Sequence, residues 1–403
     1  MPFRDAWLLI GGLLVLAGFG AAEPAITGTG FVVILVGGVG RYWGRRLFDG
    51  VHLRRTPGER RVFIGEEVAL GVELENRKLL PLPWFEWRLG VADSLAVENE
   101  NLAAAVVPGR SWIVRRGALG WWERRTWNFT LRPAERGYHS LGPATIRSAD
   151  LLGLFPRNLD DPAEDHLTVF PRVFSLRELG LPADRPFGER RGGNRLYEDP
   201  LRVAGLRDYR PGDPMRRIDW KATARRGDLQ SRVYDPSATQ QMYIMLNIDT
   251  MAHSWEGYLK DELERAVSVA ASVAVWAAGE RFSVGLLANG AYPNADRPIR
   301  LAPSRSREQI TRVLEALAVV QPLTTGDLAS AIRREAGRLP MGSTIVVVAS
   351  LMPAPLVGVI TRLHDEGHRV HVLATSRRID GASLGPVPVV NVGQAFERAG
   401  APA

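Results

Sequence analysis

The densest grouping of ionisable side chains runs from Arg207 to Arg226, RDYRPGDPMRRIDWKATARR. It sets Asp208, Asp213 and Asp219 among Arg207, Arg210, Arg216, Arg217, Lys221, Arg225 and Arg226. A guanidinium offers two parallel N–H donors to a carboxylate or a phosphate, so such a loop can form an ion-pair network or an anion-binding face. The interleaved acids favour an internal network that fixes the loop's shape and leaves a few arginines for a partner. Other chemistry is thinner. His364-Asp365-Glu366-Gly367-His368 with His371 has metal-ligand residue types, but Gly367 ends a helix there and His371 alternates within a strand. The sequence contains no GxxxxGK[ST] phosphate loop and no GxSxG nucleophile elbow, so neither a P-loop ATPase nor a serine hydrolase is supported. The absence of cysteine excludes thiol catalysis, disulfide scaffolds, cysteine-ligated zinc and iron–sulfur clusters.

Local signals position this loop. Pro211-Gly212 is a strong turn signal, because Pro fixes φ and Gly accepts positive φ. Asp219 is placed to cap a short helix from Trp220 to Arg226 that Gly227 ends. LQSRVYD then alternates as a strand. The loop also explains the charge. The 403 residues carry 51 Lys plus Arg against 44 Asp plus Glu, a formal +7 that rests almost wholly on arginine. The window Arg185 to Arg232 alone holds thirteen basic and seven acidic residues. The basicity is therefore local and mixed with acids, which argues against a nucleic-acid partner.

Three kinds of sequence surround the loop. Ala6 to Ala22 and Ala25 to Gly40 are uncharged runs joined by Glu23-Pro24 and followed by Arg41, Arg45 and Arg46. They read as a transmembrane helical hairpin over 1–46 whose glycines allow close helix contact, with both ends in the cytoplasm by the positive-inside rule. A signal peptide ending near Ala22 is the rival reading, and the second run would still anchor the chain. Residues 47–175 carry β grammar: Val68, Leu70, Val72 and Leu74 alternate, as do Trp127, Phe129 and Leu131, between Pro and Gly turns. Regular short strands of this kind predict a β-sandwich-like domain. Trp84, Trp87, Trp112, Trp121, Trp122 and Trp127 suit either core and interfacial packing or a ligand groove. After a linker over 176–236 that contains the acid–base loop, residues 237–393 alternate strand and helix. QMYIMLNID, FSVGLLA, TIVVVAS, RVHVLAT and VPVVNV are strands, and Glu256 to Gly279, Arg305 to Val320, Gly326 to Leu339 and Ala354 to Glu366 are helices. This pattern predicts a doubly wound, mostly parallel α/β sheet, with a flexible tail over 394–403.

Tyr209-Arg210-Pro211-Gly212-Asp213, followed by Arg217-Ile218-Asp219-Trp220-Lys221-Ala222-Thr223-Ala224-Arg225, resembles the signature of the bacterial domain of unknown function 58 family. Arg136-Gly137-Tyr138, Leu141-Gly142-Pro143 and Ser148-Ala149-Asp150-Leu151-Leu152-Gly153-Leu154-Phe155 add to the resemblance, which covers nearly the whole chain. It implies that the α/β domain is von Willebrand factor A-like and that the partner is a MoxR-type AAA+ ATPase. It also implies a partner-binding role for the signature residues Tyr209, Arg210, Pro211, Gly212, Asp213, Arg216, Arg217, Asp219, Trp220, Lys221 and Arg225. Domains of that type can hold a divalent cation through an Asp-x-Ser-x-Ser loop, a Thr and a further Asp. Here the first loop is Asp249-Thr250-Met251-Ala252-His253, the second Thr324-Thr325-Gly326-Asp327-Leu328, and the third strand ends Val348-Ala349-Ser350-Leu351. Asp249 alone matches securely, so the site is degenerate and neither a metal nor any cofactor is expected.

The resulting expectation is a membrane-anchored, non-enzymatic interaction or assembly protein, with its soluble domains in the cytoplasm beside a MoxR-type AAA+ ATPase. The alternatives are a magnesium-dependent protein-binding domain of the integrin type and an enzyme that uses the basic loop. The oligomeric state is not legible in the sequence.

Overall fold

The computed structural model describes residues 6–182, 186–187, 203–210, 213–234, 241–292, 297–379, 381–394 and 396. Two compact units divide the chain, Met1–Pro171 and Arg172–Ala403.

The first unit opens with α1 (Ala6–Gly20) and α2 (Pro24–Arg46), packed as an antiparallel hairpin. Pro24 starts α2 at a position where its missing N–H costs no intrahelical bond. Small residues let the backbones close: a Cβ added at Gly11 would meet the Ile34 side chain at 2.6 Å, and one at Gly30 would meet Val15 at 2.7 Å. With 23 residues, α2 is long and apolar enough to cross a membrane, whereas α1 is apolar but has 15. Among the described residues one helix thus meets the length for a span, where the sequence predicts two.

Eleven short strands follow: β1 (Val51–Pro57), β2 (Arg61–Phe63), β3 (Val68–Asn76), β4 (Leu82–Ala92), β5 (Leu95–Val97), β6 (Ala103–Ala104), β7 (Arg110–Leu119), β8 (Arg124–Pro133), β9 (Gly137–Ser148), β10 (Arg157–Asp161) and β11 (Asp165–Phe170). One sheet has the order β1-β3-β8-β5, and the other β2-β11-β9-β4-β7-β6 with β10 on β9. The alternating Val68, Leu70, Val72 and Leu74 of β3 are buried against Phe85, Trp87, Leu89 and Ile146 of the facing sheet. This makes the unit β-sandwich-like. Trp87 lies at the centre, edge-to-face with Trp127 at 5.3 Å, whereas Trp121 and Trp122 are exposed. The tryptophans therefore divide between core and surface. Register sets the polarity of the sandwich. Val51 pairs with Asn76, Leu82 with Leu119 and Arg157 with Ser148, so these strand ends share the end at which α2 enters β1.

The second unit begins with β12 (Val203–Asp208), α3 (Trp220–Arg226) and β13 (Gln230–Tyr234), where β12 and β13 form a separate two-stranded antiparallel ribbon. Then come β14 (Gln241–Leu246), α4 (Lys260–Gly279), β15 (Ser283–Ala291), β16 (Pro298–Ser304), α5 (Gln309–Val319), α6 (Leu328–Ala336), β17 (Thr344–Ala349), α7 (Ala354–Asp365), β18 (Arg369–Ala374) and β19 (Val389–Asn391). Their sheet order is β16-β15-β14-β17-β18-β19, parallel except for β16 on β15. The apolar runs of β15 and β17 are buried along their whole length, as a sheet covered on both faces requires. Helices α6 and α7 seal one face through Leu328, Ile332, Leu356 and Ile360 against Ile345, Val347 and Val372. Helix α4, buried at Leu263, from Ala266 to Ala274 and at Ala277, packs on β14, β15 and β17. The edge strand β16 is absent from the sequence reading, and α4 starts four residues later than expected. Gly257, at φ 84°, interrupts the chain between a 3-10 turn at Ser254–Glu256 and α4. Of the tail over 394–403, only 394 and 396 lie among the described residues.

Candidate functional site

The acid–base loop is built by its carboxylates. Asp219 caps α3: its Oδ1 accepts the Ala222 N–H at 2.9 Å, and its Oδ2 accepts Arg232 Nε at 3.0 Å. Gly227 closes the helix in the left-handed region at φ 84°, where its N–H donates to the Thr223 carbonyl. Asp213 accepts the Arg210 N–H at 3.0 Å and Arg207 Nη2 at 2.7 Å. Asp208 accepts Gln230 Nε2 at 2.7 Å. Backbone and guanidinium donors hold both Asp213 and Asp219 below the usual carboxylate range, the N–H of Arg210 or Ala222 being the larger influence. Carboxylates stabilised as anions and saturated with donors are poor proton acceptors near neutrality, so the geometry favours scaffolding over general-base chemistry.

Gln230 is the residue that sequence reasoning overlooked. Its side chain is fully buried, donates to Asp208 and accepts from Arg226. Its backbone receives the Asp219 N–H and donates to Thr223 Oγ1. One glutamine thus ties β12, α3 and β13 together, and its position as the second residue of the alternating LQSRVYD run is the only sequence signal for it. Ile218, buried, bridges to Ser231 beneath the same ribbon.

With three of the acids engaged in structural hydrogen bonds, several cationic and apolar side chains are exposed. Arg210, Lys221 and Arg225 are exposed, together with Met215, Trp220, Leu206 and Leu229. Of the predicted binding residues, Tyr209 and Arg217 are half-buried. Pro211 and Gly212 lie outside the described residues, as does the side chain of Arg216.

Asp249 stands after β14, at the carboxyl ends of the parallel strands. Burial pushes its carboxyl above the ordinary range, opposed by a hydrogen bond from Asn289 and aided by the Asp327 charge. Asn289 Oδ1 accepts the Ile248 N–H at 2.9 Å, which fixes the amide so that Nδ2 donates to Asp249 Oδ2 at 2.9 Å. The hydroxyls that would complete a hard-cation shell are engaged elsewhere. Thr250 Oγ1 accepts the Leu259 N–H, Thr325 Oγ1 donates to the Asn289 carbonyl, and Ser350 Oγ donates to the Asp249 carbonyl. An N–H aimed at the carboxylate repels a cation, so these residues do not fit a divalent metal. Among the described residues no group of three or more His, Asp or Glu side chains could hold one. The histidines near α7 are dispersed: Gly367 follows the helix at φ 92°, and His371 sits in β18, where burial keeps its ring below the usual histidine range.

Residues 205–380, from within the ribbon to just beyond β18, match the family model described as "Protein of unknown function DUF58". The chain carries a DUF58 domain. It is 25% identical over 213 residues to the uncharacterized protein YeaD of Bacillus subtilis (strain 168), a match covering 51% of this chain and 48% of that protein. The DUF58 chain therefore spans about half the length of this relative. Among solved structures, a CARDB domain from Pyrococcus furiosus aligns at 14% identity over 30% of this chain and 96% of its own, with a TM-score of 0.21. A non-cellulosomal cohesin from Archaeoglobus fulgidus aligns at 15% over 29% and 91%, with a TM-score of 0.19. Likenesses this low carry no argument about the DUF58 chain.

Proposed function

We propose that this protein is a membrane-anchored, non-enzymatic interaction or assembly protein, and that its acid–base loop docks a cytoplasmic MoxR-type AAA+ ATPase. The observation that carries the reading is the division of labour within the loop. Asp208, Asp213 and Asp219 are engaged in caps and hydrogen-bonded pairs, while Arg210, Trp220, Lys221 and Arg225 are exposed. A surface that exposes arginine, lysine and tryptophan side chains suits an acidic and apolar protein patch, because aromatic and arginine side chains dominate protein interfaces.

The α/β domain is read here as von Willebrand factor A-like. Numbered within the domain, its strand order is 3-2-1-4-5-6 with the third strand antiparallel, which supports that reading. The partner-facing end then lies at the switch point between β14 and β17, where Asp249 and its amide neighbours stand. Two spans, α1 and α2, with both ends and the soluble units in the cytoplasm, are supported by Arg45 and Arg46 in the last turn of α2. Crosslinking followed by purification from membranes in mild detergent tests the proposal. The ATPase is expected to be recovered with the native chain and lost with Lys221→Glu/Arg225→Glu. Equal recovery with both chains would remove the loop from the interface, and recovery with neither would remove the partner.

A further inference from the structure

The sandwich end that adjoins α2 carries apolar side chains that the fold leaves uncovered. Leu79, Trp121 and Trp122 project from two neighbouring turns, and Leu151, Leu152 and Leu154 from a third loop; each is more than half exposed. These turns are built rather than loose. Asn76, fully buried, donates through Nδ2 to the carbonyls of Leu80 and Gly120 and so holds the two turns together. Lys78 Nζ donates to the Leu47 carbonyl at 2.8 Å, just past the end of α2. In the third loop, Asp150 is buried and accepts the N–H groups of Phe155 at 2.6 Å and Leu152 at 3.2 Å. The same loop lies against the helix: a Cβ at Gly40 would meet Asp150 Oδ2 at 3.1 Å and the Phe155 ring at 3.2 Å, and one at Gly44 would meet Phe155 Cβ at 2.8 Å.

Helix length says what covers these side chains. The uncharged stretch Ala25–Gly40 of α2 is about 24 Å long at 1.5 Å per residue, against a hydrocarbon core of about 30 Å. The deficit is about one helical turn. That turn is 41–44, the level at which the leucine loop is lodged and α2 itself becomes basic. Arg147 and Arg157, both exposed, lie on the β9 and β10 strand ends that flank the loop, and such arginines attract anionic lipid headgroups. Tryptophans beside leucines and arginines have the composition of a membrane–water interface.

We infer that these three turns form a collar that embeds Leu79, Trp121, Trp122, Leu151, Leu152 and Leu154 in the lipid interface around the exit of α2, and fixes the sandwich end-on to the bilayer. The inference rests on α2 crossing the membrane. The collar adds apolar surface beside the basic last turns of α2 and removes the freedom of a domain on a single tether. The far end of the sandwich should then stay in water. Val106, fully exposed, lies there, since Ala92 pairs with Arg110 some ten residues up the β4–β7 ladder from Leu82.

The chain has no cysteine, so single-cysteine variants can be labelled cleanly with an environment-sensitive fluorophore. The full chain would be reconstituted in phosphatidylcholine–phosphatidylglycerol vesicles containing nitroxide-bearing lipid. With Leu35→Cys, emission should be lost to a deep nitroxide. With Leu152→Cys and Trp121→Cys, emission should shift to the blue and be lost to a shallow one. With Val106→Cys, neither change should occur. If the Leu35 probe is quenched while the Leu152 and Trp121 probes stay in water, the collar is wrong and the anchor stands. If those two probes are blue-shifted but unquenched, a protein and not lipid covers the patch, which also overturns the inference. An unquenched Leu35 probe would remove the anchor itself.

Discussion

Asp150 is the residue on which the leucine loop depends, and Asp150→Ala gives a perturbation of calculable size. Its carboxylate is buried and receives the Phe155 N–H at 2.6 Å and the Leu152 N–H at 3.2 Å. Hydrogen bonds to a charged acceptor contribute roughly 1.5–3 kcal/mol, and a buried N–H left without a partner costs a similar amount. The Leu152 contact is long and only part-buried, so the two bonds together amount to about 2 kcal/mol of resistance to local opening. At an RT of about 0.59 kcal/mol this is roughly a 30-fold change in the opening equilibrium. Hydrogen-exchange mass spectrometry on the full chain in lipid nanodiscs would read it directly. Amides over 151–156 should exchange roughly 30-fold faster in Asp150→Ala, and those of β3 and β17 should keep their native protection. Asp150→Asn, which retains one acceptor oxygen, should fall between. Unchanged protection of the loop would show that Asp150 does not hold it, and an equal rise throughout β3 would show that the damage is global.

Three further outcomes follow from the same geometry. Gly44→Ala drives a Cβ to 2.8 Å from Phe155, whereas Gly38→Ala meets nothing within 4 Å. Thermal unfolding in detergent should therefore show a loss of about 1–3 kcal/mol for the first and none for the second. Burial pushes the Lys78 amine down to about 8, opposed only by Asp49. Between about pH 8 and the unfolded value near 10.4, the unfolded chain holds a proton that the folded chain has released, so stability should rise with pH in that window. Denaturant titrations at the two limits should show that rise, and Lys78→Gln should abolish it. Asp249 carries a raised carboxyl, so folding disfavours its charge at neutral pH. Asp249→Asn should be neutral or stabilising, and magnesium or EDTA should leave the melting curve of the native chain unmoved.

Much of the frame was legible where the signal is local. Asp219, the Trp220–Arg226 helix and Gly227 stand where the capping rules put them, and the alternation of β3 gave its buried face correctly. Features that depend on distant partners were not legible. β16 begins with Pro298 and is half-exposed on the sheet edge, so neither a continuous apolar run nor a clean alternation marks it. Gln230 looks like any polar strand residue until its pairing with Asp208, 22 residues away, buries it. The glycines of α2 read as a single helix-contact stripe. In the fold Gly30 faces α1, while Gly40 and Gly44 receive a loop from more than a hundred residues downstream. Likewise, mixed charge implied an ion-pair network, but only the folded ribbon reveals which donors the acids accept from and that Lys221 and Arg225 are exposed.

The proposed docking role of that outward face is tested most directly by placing a photo-crosslinking amino acid at residue 220 of the chain and irradiating intact membranes. A covalent product with the MoxR-type ATPase is expected from position 220, and none from position 106 on the sandwich. Product from neither position, or equal product from both, would contradict an interface centred on Trp220.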